Sequence, residues 1–215
     1  MGAGIAGLGF EKLVYDGLGK VFTGIIVAPI GGVLFGVAVT GLIIFFFARR
    51  KPAIVNKTFG RLQIISSAWF ALTHGANDGQ KTMGIIVLIL FAADLIPELE
   101  MPLWVIFAAA TGMGLGTFFG GYKVIKTLGV KITRLKPYQG FAAETSGGLM
   151  LAVFATLGIP ASTTHAITGT IMGAGSARRI RAVRWKVSRQ IIFSWVITCL
   201  LYTSDAADEG LGVDL

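Results

Sequence analysis

The sequence predicts an all-α membrane protein, a polytopic helical bundle, and three observations point there. Of 215 residues 54% are hydrophobic and only 14% are charged, more apolar surface than a water-soluble domain of this size can bury. The basic residues are clustered rather than spread. Between the clusters run apolar stretches of membrane-spanning length. A single cysteine and the lack of a three-residue glycine period exclude disulfide and collagen scaffolds.

Sixteen of the 19 basic residues fall in three acid-free groups: Arg49 to Arg61, Lys123 to Lys136, and Arg178 to Arg189. Asp94, Glu98 and Glu100 form an acidic connection between the first two groups. That alternation is the positive-inside pattern and places the basic groups at the cytoplasmic face. A nucleic-acid groove would not alternate with apolar spans, so the net charge of +8 implies no nucleic-acid partner. No secretory leader is evident, because residues 1–10 lack a basic start.

The first span covers residues 21–47, uncharged throughout, where about 20 residues suffice to cross the hydrocarbon core. The second window, residues 62–93, is about 48 Å as one helix against a core of about 30 Å, so it must tilt steeply or break. The expected break is Gly75-Ala76-Asn77-Asp78-Gly79, whose residues weaken a helix. Residues 103–122 carry Gly112, Gly116 and Gly120 at four-residue spacing, a pattern expected to let a neighbouring backbone approach. The basic stretch 123–136 alternates apolar and cationic residues and is expected at the cytoplasmic interface.

Residues 137–157 re-enter the membrane with Glu144 near their start, and Gly158-Ile159-Pro160 interrupts them. From His165 to Ala177 is about 20 Å of helix, too short to cross. With Arg178 and Arg179 anchoring its end, the Ser162-Thr163-Thr164-His165 turn is expected inside the bilayer, as the tip of a re-entrant helical hairpin. A last span begins near Trp185 and turns polar after Tyr202.

The ionisable residues at membrane depth are His74, Asp78, Lys81, Glu144 and His165. Each charge there costs about 2.5–3.5 kcal/mol on the insertion scale, so together they mark a polar cavity. Asp78 and Lys81, three apart, share a helix face, as do Asn77 and Lys81. Lys81 either attracts an anion or neutralises Asp78. Hydroxyls following Pro160 can cap the next helix and leave its first-turn N–H groups to an anion. Capping inside a bundle is the bland alternative for all of them. Ser162, His165 and Asp78 are also hydrolase types, but no nucleophile-elbow glycines flank the serine, so no enzyme is expected.

Residues 73–84, Thr-His-Gly-Ala-Asn-Asp-Gly-Gln-Lys-Thr-Met-Gly, and residues 158–165, Gly-Ile-Pro-Ala-Ser-Thr-Thr-His, resemble the paired signature of the inorganic phosphate transporter (PiT) family. Glu144-Thr145-Ser146 and residues 177–185 are similar to that family too. The resemblance implies one half of an inverted-repeat transporter, the C-terminal repeat in residues 1–198, whose missing N-terminal half is its partner, with room for a homo-oligomer. It implies cation-coupled phosphate symport across a bacterial inner membrane, multi-pass, with no cofactor beyond a co-transported sodium ion or proton. Asn77, Lys81, Ser162, Thr163 and Thr164 would line the phosphate; Asp78, Asn77 and Glu144 would serve the coupling ion, Asp78 offering an oxygen to sodium. Sulfate or another oxyanion is the alternative cargo; a structural membrane subunit and an intramembrane hydrolase are weaker readings. Residues 199–209, Cys-Leu-Leu-Tyr-Thr-Ser-Asp-Ala-Ala-Asp-Glu, resemble a translated sequencing adapter, so 199–215 is expected to be a non-native tail.

Overall fold

The computed structural model describes residues 15–126, 132–159 and 162–197. Outside them lie Pro160 and Ala161 of the expected hairpin turn, residues 127–131 of the expected interfacial stretch, and the whole of the expected tail. The described chain is helical: α1 (Tyr15–Phe47), α2 (Pro52–Ala92), α3 (Leu103–Lys126), α4 (Pro137–Thr156), α5 (Thr163–Ser176), a 3₁₀ turn at Ile180–Ala182 and α6 over 185–197.

Pro52 and Pro137 start α2 and α4 at the first helical position, where a missing N–H costs nothing. The Gln139 side chain accepts from the Lys136 backbone N–H at 3.0 Å and ties down the α4 entrance. Asp94, at φ +55°, turns the chain out of α2. Gly158 does the same after α4 at φ +62°, a conformation that suits glycine.

The short α5 lies at the centre, packed along α1 and α4, while α2 lies along α4. Two glycine-lined crossings make this possible. On α1, a Cβ at Gly32 would come 2.7 Å from the Ala166 carbonyl oxygen, and one at Gly36 would come 2.5 Å from that of Thr170. Opposite them, Gly169 and Gly173 face the backbone of Pro29 and Val33. Paired Gly-x₃-Gly segments thus let two helix backbones touch. Near the other helix pair, Gly148 leaves room for the Trp69 indole and Gly147 for the Phe70 ring.

The basic groups converge on one end. Ile43, Phe59, Tyr138 and Ala142 pack together there, joining the end of α1 to the starts of α2 and α4. Gln139 donates to the Ala174 carbonyl at 2.9 Å, bringing in the end of α5. At the other end Ala28, Met150, Leu151, Phe154 and Ala166 form a separate cluster. The surface is apolar: Phe118 and Phe119 on α3 are 81% and 79% exposed. By length and composition Gly19–Phe47 and Leu103–Tyr122 are long and apolar enough to cross a membrane.

Two expectations are corrected. The break at residues 75–79 does not form: α2 is one unbroken helix of 41 residues. Each glycine costs only about 1 kcal/mol against alanine, and Asn77 spends its amide on the Thr73 carbonyl at 3.1 Å, a bond within the helix. Packing along α4 outweighs the local weakness. Among the described residues the glycines of α3 mark no packed crossing either, since a Cβ at Gly112, Gly116 or Gly120 would meet nothing within 4 Å there.

Candidate functional site

Asp78 lies on the same unbroken helix as His74 and Lys81, one turn to each side, and both reach its carboxylate. The His74 Nε2 is 3.2 Å from Oδ2 and the Lys81 Nζ is 3.2 Å from Oδ1. The third partner comes from 85 residues away: the Thr163 hydroxyl donates to the carboxylate at 3.2 Å from Oδ2 and 3.4 Å from Oδ1. Thr163 is buried in the first turn of α5. Charged-group hydrogen bonds are stronger than neutral ones, so this contact fastens α2 to the start of α5.

Ser162 caps α5, its oxygen accepting from the His165 backbone N–H at 3.4 Å, as expected of a hydroxyl after the turn. Thr164, next in the same turn, is exposed. Asn77 is half-buried and reaches across to the Leu151 carbonyl of α4 at 3.5 Å. Asp78, with His74 and Lys81 on its carboxylate, therefore meets the start of α5, while Asn77, next to it in the chain, turns its amide to the Thr73 and Leu151 carbonyls. A carboxylate, an amide and hydroxyls at a helix start suit a hard cation beside an oxyanion. No group of three or more histidine, cysteine or carboxylate side chains suited to a metal occurs among the described residues.

Glu144 stands apart from this locus. The Ser66 hydroxyl donates to its Oε2 at 2.5 Å and the Gln63 amide to its Oε1 at 3.3 Å. Twelve residues of helix separate Ser66 from Asp78, about 18 Å. Gln63 and Ser66 were not among the expected site residues, although two polar side chains three apart in an apolar window were a signal. The hydrolase reading does not assemble: Ser162 meets His165 through its backbone, and the imidazole stacks on Trp195 with ring centroids 3.9 Å apart.

An all-helical bundle with an apolar exterior and a carboxylate–hydroxyl locus between two of its helices defines the class, a helical membrane protein. The phosphate transporter family (PHO4) profile matches residues 1–202, and the chain belongs to that family of transporters, not to an enzyme family. It is 44% identical over 199 residues to the probable low-affinity inorganic phosphate transporter of Rhizobium meliloti (strain 1021), covering 92% of this chain and 60% of the relative. A protein of the same description from Bacillus subtilis (strain 168) is 39% identical over 198 residues, with the same coverage. The chain thus spans about three fifths of the length of these curated relatives. Its fold is similar to that of a solved structure described as the sodium-dependent phosphate transporter, with TM-score 0.81 and 23% identity, covering all of this chain and 71% of that one.

Proposed function

We propose that this chain contributes half of the pathway of a cation-coupled inorganic phosphate transporter. The observation that carries the reading is the Thr163–Asp78 contact, which joins the two motif segments that the sequence holds 85 residues apart. Phosphate is received at the start of α5 by Ser162, Thr163 and Thr164 with Asn77 nearby, where the helix end carries a partial positive charge. Asp78 receives the coupling cation. Lys81, 3.2 Å away, neutralises that carboxylate until a cation replaces it, and then turns to the anion.

Coupling has a physical motive. Carrying a doubly charged phosphate into an inside-negative cell costs about 4.6 kcal/mol per 100 mV, so two or more cations must accompany it. The sodium dependence in the description of the similar structure favours sodium at Asp78. Glu144, held by Ser66 and Gln63, serves as a second cation or proton site.

The basic end of the bundle supports a cytoplasmic orientation in a multi-pass cell-membrane protein. From Thr163 to the arginines after Ser176 is about 21 Å, which supports a re-entrant hairpin of α4 and α5 with its tip at membrane depth. The exposed apolar face of α3 and the three-fifths coverage support a partner half, an inverted repeat of residues 1–198, against which this half rocks. The names of the relatives favour phosphate over sulfate.

The test is uptake of labelled phosphate by the full-length parent, with sodium and pH varied and sulfate as competitor. Saturable uptake that rises with sodium and resists excess sulfate is expected. Uptake blocked by sulfate overturns the cargo, and uptake indifferent to sodium overturns the coupling ion.

A further inference from the structure

One face of α2 is unexplained by the site. Lys57, Arg61, Ile64, Ile65, Ala68 and Leu72 lie within about 100° of one another around a helix of 3.6 residues per turn, and all are exposed. The opposite face, with Phe59, Ser66 and Thr73, is buried. Along the exposed face the chemistry changes once. Two cations one turn apart stand at the basic end, and then Ile64, Ile65 and Leu72, at 71%, 68% and 67% exposure, continue as a bare apolar strip. Between Lys57, Thr58, Arg61 and Leu62 lies a shallow pocket of about 270 Å³.

We propose that this face holds an anionic phospholipid of the cytoplasmic leaflet, with its phosphate in the pocket between Lys57 and Arg61 and an acyl chain along Ile64, Ile65 and Leu72. Charge complementarity argues for the headgroup. The described ion pairs, His74 and Lys81 with Asp78, involve neither Lys57 nor Arg61. The chain's own acidic connection follows the far end of α2. Arg49, Arg50 and Lys51 just before the helix add to the positive field, and juxtamembrane cations attract anionic headgroups. The dimensions argue for the tail. From Ile64 to Leu72 is about 12 Å of helix, close to the half-thickness of about 15 Å of a bilayer core. A soluble anion would use the cations and leave the strip bare, whereas a neutral lipid would use the strip and leave the cations. The inference rests on the membrane-embedded reading and is independent of phosphate as cargo.

The probe is phosphatidylglycerol carrying a photoreactive diazirine on one acyl chain, in phosphatidylcholine vesicles containing the chain. Labelling is expected in the peptide covering residues 62–72, displaced by unlabelled phosphatidylglycerol but not by phosphatidylcholine or millimolar inorganic phosphate. K57Q/R61Q should lower that labelling about thirtyfold, the combined effect of two cationic contacts, while R178Q/R179Q leaves it unchanged. Undiminished labelling in K57Q/R61Q, displacement by inorganic phosphate, or labelling confined to other peptides overturns the proposal. Should K57Q/R61Q fail to insert, a salt series on the unaltered chain decides: labelling must fall as salt rises, and constant labelling overturns the headgroup contact. Because this readout needs no transport, it stands or falls separately from the uptake experiment.

Discussion

Helices α3 and α5 both carry glycines at four-residue spacing, and they have opposite surroundings. On α5, Gly169 and Gly173 touch the backbone of α1, whereas Gly112, Gly116 and Gly120 on α3 face open space. Glycine spacing therefore permits an approach without supplying the partner. What supplies it on α5 is the matching pair Gly32 and Gly36 on α1, together with a helix buried almost from end to end. The helix that presents Thr163 is thus clamped by backbone contact, and the site inherits that rigidity.

The comparison is broken most severely at the crossing. Gly36→Leu puts a side chain into the Thr170 carbonyl and should cost about 3 kcal/mol or more, read as loss of monodisperse, folded protein after detergent extraction. Asp78→Asn removes the charge while keeping the shape, and uptake by the full-length parent should fall about a hundredfold with little loss of folded protein, since hydrogen bonds to charged groups contribute about 1.5–3 kcal/mol. Normal uptake would move the cation site elsewhere. Thr163→Val deletes one donor to that carboxylate, and uptake about tenfold lower is expected. On the uncrowded helix the sign reverses: Gly116→Ala should stabilise this chain by up to about 1 kcal/mol through helix propensity alone. If the same change lowers the stability of the full-length parent, the glycine row of α3 is the seat of the other half, and the contrast between α3 and α5 is one of missing company.

The sequence made the ends of elements readable because charges mark them. Arg178 and Arg179 bound α5, and the short distance back to His165 makes it too short to cross, close to the observed Thr163–Ser176. The unbroken course of α2 was not readable, since Gly75, Asn77 and Gly79 each weigh about 1 kcal/mol or less on their own, and the packing along α4 that outweighs them is non-local. The meeting of Asp78 with Thr163 came only through resemblance, because no local period links residues 85 apart. Glu144 stands out in the sequence as an ionisable residue at membrane depth, whereas its partners Gln63 and Ser66 read as ordinary polar residues in an apolar window.

The straightness of α2 has a mechanical meaning. Gln63 and Ser66, which grip Glu144, and Asp78, which grips Thr163, are carried on one rod with no hinge between them. A tilt of that rod about either contact displaces the other, so whatever disturbs the lower handhold is felt at the upper one as leverage.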